Sequence, residues 1–160
     1  MDDWERRIAA VWEHASGMDE VGLIDAIDAI AAERGTDDAR AEFERAGARD
    51  SGGRPDEAVP LYERALRLGL DDEHRPQAVI QLASSIRNLG EVDRAIGILE
   101  AELREHPDAD FRDEVAAFLA LALASSGRAG QATSVALLAL APHLRRYTRS
   151  VTNYARELAG

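Results

Sequence analysis

The chain has 160 residues, of which 46% are hydrophobic but only 5% aromatic, no cysteine, and a net charge of −11. The length fits one ordinary domain with its own core, the lack of cysteine excludes disulfides and thiolate metal sites, and the acidic charge argues against nucleic-acid binding because it repels the phosphate backbone. With no run of 18 apolar residues and no apolar segment in the acidic start, we expect neither a membrane span nor a secretory signal, and therefore a cytoplasmic protein.

Apolar side chains recur with the 3.6-residue period of α-helices along the whole chain. The predicted helices are residues 3–15, 20–34, 38–51, 55–69, 74–89, 92–106, 110–126, 129–141 and 143–158. The first two form a predicted N-terminal hairpin over residues 1–36. Its apolar stripes are Trp4, Ile8, Val11, Trp12 and Ala15 on one helix and Leu23, Ile24, Ile27, Ile30 and Ala31 on the other. Asp19 is the predicted N-cap of the second helix and Gly35 its stop.

A repeat of 37 residues follows the hairpin. Identical residues recur at four of its positions: Gly53, Gly90 and Gly127; Ala58, Ala95 and Ala132; Leu66, Leu103 and Leu140; Ala46, Ala83 and Ala120. Each glycine is predicted to end a helix in the left-handed conformation. Each alanine of the second set lets the next helix approach closely, and each leucine seals the helix pair. Pro60 lies about one turn inside its helix, so a kink or a late helix start is expected there.

The last helix, residues 143–158, is predicted to cap the open end of the repeats. Five apolar residues fall within an arc of about 80° and should pack on the preceding helix pair, against Leu137 and Leu140. They are Leu144, Tyr147, Val151, Tyr154 and Leu158.

All 19 basic residues of the chain are arginines, and their distribution is uneven. Residues 142–160 carry a net charge of +3, so residues 1–141 carry −14. A rival interpretation is that this basic end binds an acidic partner or the acidic body of another copy.

The unit around Gly90 resembles a tetratricopeptide repeat. Val79, Leu82, Ala83, Ile86, Ala95, Leu99 and Pro107 occupy the slots of its consensus. In the unit around Gly53, Glu42, Arg45 and Arg49 replace apolar residues, and Phe43 is expected to take over the core position. Residues 43–99 look like the compact bacterial group 5 tetratricopeptide family, in Ala58-Val59-Pro60-Leu61-Tyr62, Gln81-Leu82-Ala83-Ser84-Ser85 and Arg87-Asn88-Leu89-Gly90.

The resemblance implies a fold and a binding role but no defined reaction. The implied fold is all-α: a right-handed superhelix of antiparallel helix hairpins with a C-terminal capping helix. As one domain it would comprise the hairpin 1–36, repeats at 38–70, 75–107 and 112–141, and the cap 142–160. The four histidines are too widely spaced for a helical metal site, and no phosphate-binding or nucleophile motif occurs. We therefore expect no catalytic residue, metal or cofactor.

The first helix of each pair is expected to line a concave groove that binds a protein or peptide. The candidate binding residues are Arg40, Phe43, Gln77, Gln81, Ser84, Arg87, Asn88 and Phe118. Gln81, Arg87 and Asn88 offer hydrogen bonds to a peptide backbone or a terminal carboxylate. The alternative is that these are merely solvated polar residues on a helix. The predicted function is a non-enzymatic scaffold, and its alternative is a self-associating subunit, a homo-oligomer without a separate ligand.

Overall fold

A computed structural model describes residues 2–160 of the chain, and these form nine α-helices and no strand. Short 3₁₀ turns follow α1, α2 and α8, at Ala15–Gly17, Ala32–Arg34 and Ala141–His143. The helices are α1 Asp3–His14, α2 Glu20–Ala31, α3 Ala39–Ser51, α4 Pro55–Leu68, α5 His74–Asn88, α6 Val92–Glu105, α7 Arg112–Ser125, α8 Ala129–Leu140 and α9 Thr148–Leu158. None of these helices is both long and apolar enough to cross a membrane.

The helices pack in the order in which they occur along the chain. Each helix contacts the next, and the first helices of neighbouring repeats also touch, α3 with α5 and α5 with α7. This is the pattern of a solenoid, in which each repeat contacts only its neighbours. The predicted all-α solenoid of helix hairpins is confirmed.

Three identical helix ends set the repeat. Gly53, Gly90 and Gly127 have φ of 74°, 90° and 81°, the left-handed region that glycine enters without steric cost. After each glycine, the next N–H donates to a carbonyl five residues back: Arg54 to Arg49 at 2.9 Å, Glu91 to Ile86 at 3.1 Å and Arg128 to Leu123 at 2.9 Å. This is the Schellman motif, which satisfies carbonyls that the helix leaves free. The 37-residue spacing of the glycines therefore fixes where every repeat turns.

The core consists of two clusters. The N-terminal cluster contains both predicted stripes of α1 and α2, with Ile27 fully buried, which confirms the amphipathic pattern of the hairpin. The main cluster runs through the repeats and includes Tyr62, Ile86 and Leu99, each at most 1% exposed. Burying a large apolar side chain of this kind contributes about 1.5–3 kcal/mol.

Charged residues replace apolar ones where α3 meets the N-terminal hairpin. Arg49 donates to Asp28 of α2 through both terminal guanidinium nitrogens, at 2.8 and 2.9 Å, and Arg45 donates to the buried Glu42 at 2.6 Å. Phe43 is 7% exposed and belongs to the main cluster, as expected from the shifted pattern. Ion pairs thus occupy the boundary between the two clusters, where their partners keep the charges satisfied.

The expectation that the helix containing Pro60 starts late is wrong. Helix α4 begins at Pro55 and continues through Pro60 to Leu68. Pro55 occupies the first turn, where its missing N–H costs nothing and its fixed φ favours the helix. Pro60 is exposed, so water can reach the carbonyl that its ring leaves without a partner.

The C-terminal helix is shorter than predicted and presents a different face. It starts at Thr148 because Tyr147, at φ 68°, breaks the helical path. Ala155 is fully buried with Val151 and Thr152 beside it, whereas Tyr147, Tyr154 and Leu158 are exposed.

The reason for this rotation is close packing between small residues. A Cβ placed on Gly130 of α8 would lie 2.8 Å from the carbonyl oxygen of Leu158. Such an approach leaves room only for small side chains such as Ala155. The large apolar side chains therefore turn outward, and Leu140, which was expected to seal the last helix pair, is 50% exposed.

Candidate binding groove

A groove of about 430 Å³ lies between α1, α3 and α5. Trp12, Gly47 and Phe43 contribute its apolar part. A Cβ on Gly47 would lie 3.3 Å from Trp12 Cζ2, so the glycine lets the indole rest directly on α3. The other lining residues are Arg40, Glu44, Asp50, Ser51, Glu73, His74, Gln77 and Gln81.

A chain of hydrogen bonds holds the polar wall of the groove. Trp12 Nε1 donates to Glu44 Oε2 at 2.6 Å, and Arg40 Nε donates to Glu44 Oε1 at 2.7 Å. Arg40 also donates to Nε2 of His74. Because that ring nitrogen accepts, Nδ1 of His74 carries the proton and donates to Asp71 at 2.7 Å. Five side chains, from α1, α3 and the segment that leads into α5, thus fix one another.

Asp71 anchors this chain at the start of α5. Its carboxylate accepts the backbone N–H groups of Glu73 at 3.1 Å and His74 at 2.9 Å. Partial burial raises the pKa of Asp71, but these backbone bonds and the His74 ring outweigh it, so the pKa lies below the usual value. Asp71 therefore remains a carboxylate near neutral pH and orients His74 toward Arg40.

Aromatic side chains pack beneath the His74 and Gln81 side chains of the groove. Phe43 meets the edge of the His74 ring, with 5.8 Å between ring centroids, and lies 6.1 Å from the Tyr62 ring. Burial raises the pKa of Tyr62, and the charges of Asp50 and Glu44 raise it further. The neutral phenol donates to Gln81 Oε1 at 2.5 Å, which leaves the amide NH₂ of Gln81 available to the groove.

The structure places only some of the predicted site residues in this groove. Arg40, Phe43, Gln77 and Gln81 line it together. Ser84 is half-buried one turn further along α5, and Arg87 and Asn88 end that helix. Phe118 is half-buried on α7, where it packs against the main cluster.

Sequence reasoning missed several lining residues for different reasons. Glu44 lies 37 residues before Gln81, so the repeat register could have identified it. Trp12 belongs to α1, whose docking onto α3 no repeat encodes. Asp50, Glu73 and His74 lie at helix ends, where helix capping explains polar residues as well as a binding role does. Within residues 2–160, no cluster of three or more histidine, aspartate or glutamate side chains is arranged to hold a metal ion.

Comparison with known proteins identifies a repeat family. A family model described as Tetratrico peptide repeat matches residues 39–158, about three quarters of the chain. No curated protein and no solved structure matches the chain. The matched range begins with α3 and ends with α9, so the hairpin that contributes Trp12 to the groove lies outside it.

Proposed function

The chain belongs to the group 5 family of tetratricopeptide repeat proteins, and we propose that it is a non-enzymatic scaffold that binds a protein or peptide through the groove. Repeat proteins of this architecture use extended concave surfaces for binding. The groove lies among α1, α3 and α5, the first helices of three successive pairs, which is the side that such proteins use.

The single observation that carries the proposal is the groove formed by Trp12, Phe43, Gln77 and Gln81. Apolar surface and amide groups in one concave site suit a peptide, because the apolar part holds a side chain and the amides bond to the backbone. The charged wall supports this role as well. Arg40, Glu44 and His74 bond to one another, so they give the groove a fixed shape before any ligand arrives.

The test is to fill the groove and follow partner capture. Gln77→Trp places a large ring in the groove, and Glu100→Trp adds the same ring at an exposed position of α6 that does not line the groove. Partners captured from a cell lysate by the wild type should be retained by Glu100→Trp and lost by Gln77→Trp, with mass spectrometry as the readout. Circular dichroism establishes that both variants are folded. Equal capture by the two variants would contradict the groove assignment.

A second candidate function is self-association, and the exposed apolar side chains at the C-terminal end favour it. Tyr147 and Tyr154 are 76% and 66% exposed, and Leu140 and Leu158, on the two final helices, are 50% and 45% exposed. Large apolar side chains exposed in this way are available for contact with a second copy. Sedimentation velocity over a hundredfold concentration range tests this alternative: a concentration-independent monomer rules it out, and a dimer abolished by Tyr154→Ser supports it.

A further inference from the structure

Four carboxylates without an arginine partner lie together beside the groove. Asp72, Glu73, Asp110 and Glu114 line one hollow together with Phe111. Within residues 2–160, none of these four carboxylates forms an ion pair or accepts a hydrogen bond. The hollow is bounded by the starts of α5 and α7, which are neighbouring first helices.

This hollow is continuous with the groove through Glu73, which lines both. The groove adds two further carboxylates, Glu44 and Asp50, against one arginine, Arg40. Arg40 already binds Glu44, so the combined surface keeps a large excess of negative charge. A concave, low-dielectric wall focuses such a field, so we expect this surface to attract cations.

Many acidic residues elsewhere on the molecule are paired with arginines, although within the described residues Asp25, Asp56 and Glu100, on three other helices, also form no ion pair. Glu33 binds Arg7, Asp28 binds Arg49 and Asp93 binds Arg128, all at 2.8 Å or less. Four arginines that form no ion pair within the described residues lie at the opposite end of the chain, in or just before α9: Arg145, Arg146, Arg149 and Arg156. Four unpaired carboxylates thus share one hollow beside the groove, although these four arginines form no ion pair elsewhere within the described residues.

We propose that the groove takes a basic segment of a partner protein, with arginine or lysine side chains on the carboxylates and an apolar side chain beside Trp12. This inference rests on the proposed scaffold function and names the chemistry of its partner. Charge complementarity carries it: each unpaired carboxylate accepts a charge-assisted hydrogen bond from a guanidinium or ammonium group. The ring of Phe111, 37% exposed among the four carboxylates, offers a face to the same cations.

The experiment uses three fluorescein-labelled peptides of about nine residues and measures binding to the full chain by fluorescence anisotropy. One carries arginine at alternate positions around a central leucine, and the other two replace every arginine with glutamine or with glutamate. We expect the arginine peptide to bind, the other two to bind at least tenfold more weakly, and the affinity to fall steeply between 50 and 300 mM salt.

Matched variants separate a site from general attraction to an acidic protein. Glu73→Gln/Glu114→Gln removes two groove charges, and Glu100→Gln/Asp25→Asn removes two exposed charges from other helices. Both pairs change the net charge equally, so general attraction predicts equal losses of affinity. A binding site predicts that the first pair weakens binding of the arginine peptide roughly tenfold and the second less than twofold. Equal losses would overturn the proposal, as would an arginine peptide that binds no better than its glutamine analogue.

The two experiments distinguish failure of the basic-partner proposal from failure of the proposed scaffold function. If Gln77→Trp abolishes capture of a cellular partner while the arginine peptide does not bind, the groove is a binding site but the partner is not basic. If Gln77→Trp affects neither capture nor the peptide, the groove itself is wrong. An arginine peptide that loses affinity with both Gln77→Trp and Glu73→Gln/Glu114→Gln supports both.

Discussion

Trp12 and Glu44 join the N-terminal hairpin to the first repeat through a hydrogen bond of 2.6 Å between indole Nε1 and carboxylate Oε2. Glu44 is only 3% exposed, and its other oxygen is bound by Arg40. The indole therefore satisfies a buried charge on α3 and forms one wall of the groove. Through this bond, a helix pair outside the residues matched by the repeat family becomes part of the candidate site.

Trp12→Phe should destabilise the chain by about 1–3 kcal/mol, because it keeps most of the apolar contact but leaves a buried carboxylate oxygen without its donor. Urea denaturation followed by circular dichroism measures the change. Combining Trp12→Phe with Glu44→Gln gives a double-mutant cycle, and a coupling free energy near zero would show that this bond does not stabilise the hairpin.

Asp71→Ala should cost about 1 kcal/mol at pH 7, because the carboxylate caps α5 by accepting two backbone N–H groups. The pKa of Asp71 is depressed in the folded state, so its contribution is complete above the ordinary pKa of 3.8. As the pH falls through the lower folded pKa, the contribution is lost. The stability difference between wild type and Asp71→Ala should accordingly shrink below about pH 4. Asp72→Ala is the control: the neighbouring carboxylate caps nothing, and a comparable loss there would refute the assignment.

Two helical glycines should respond to alanine with opposite signs. Gly97 lies in the middle of α6, and no atom lies within 4 Å of the position that a Cβ would take, so Gly97→Ala should stabilise by about 1 kcal/mol through helix propensity. At Gly130 the new methyl would meet the Leu158 carbonyl at 2.8 Å and push α9 away. Gly130→Ala should therefore lose about 1–3 kcal/mol. Thermal and urea unfolding measure both, and a Gly130→Ala chain as stable as wild type would mean that α9 packs less closely.

The repeat itself could be predicted from sequence because backbone geometry enforces it. A left-handed turn favours glycine, so Gly53, Gly90 and Gly127 reveal the helix ends without any tertiary information. The buried alanines Ala58 and Ala95, both 0% exposed, follow from the same register.

Prediction failed where packing between particular side chains decides the outcome. The apolar arc of α9 could be identified from periodicity, but the partner surface on α8 selects the neighbouring stripe because Gly130 permits a close approach. The groove shows the same limit: Arg40 and Gln77 share a repeat position and could be placed together, whereas Trp12 reaches them only through the docking of α1. A periodic pattern gives the faces of a helix but does not say which face a neighbour covers.

A pair of adjacent substitutions in α9 tests which of its faces is buried. Ala155 is 0% exposed against the preceding helices, and Tyr154 is 66% exposed beside it. Ala155→Glu puts a charge and additional volume where neither fits, so we expect a loss of about 3 kcal/mol or more. Tyr154→Glu introduces the same charge at an exposed position, so its effect should stay within about 0.5 kcal/mol. Both variants introduce one glutamate, and the difference in helix propensity between the replaced alanine and tyrosine is under about 1 kcal/mol, so burial is the main difference between them. Urea denaturation gives the two free energies, and a larger loss for Tyr154→Glu would restore the apolar arc of Tyr147, Tyr154 and Leu158 as the packing face.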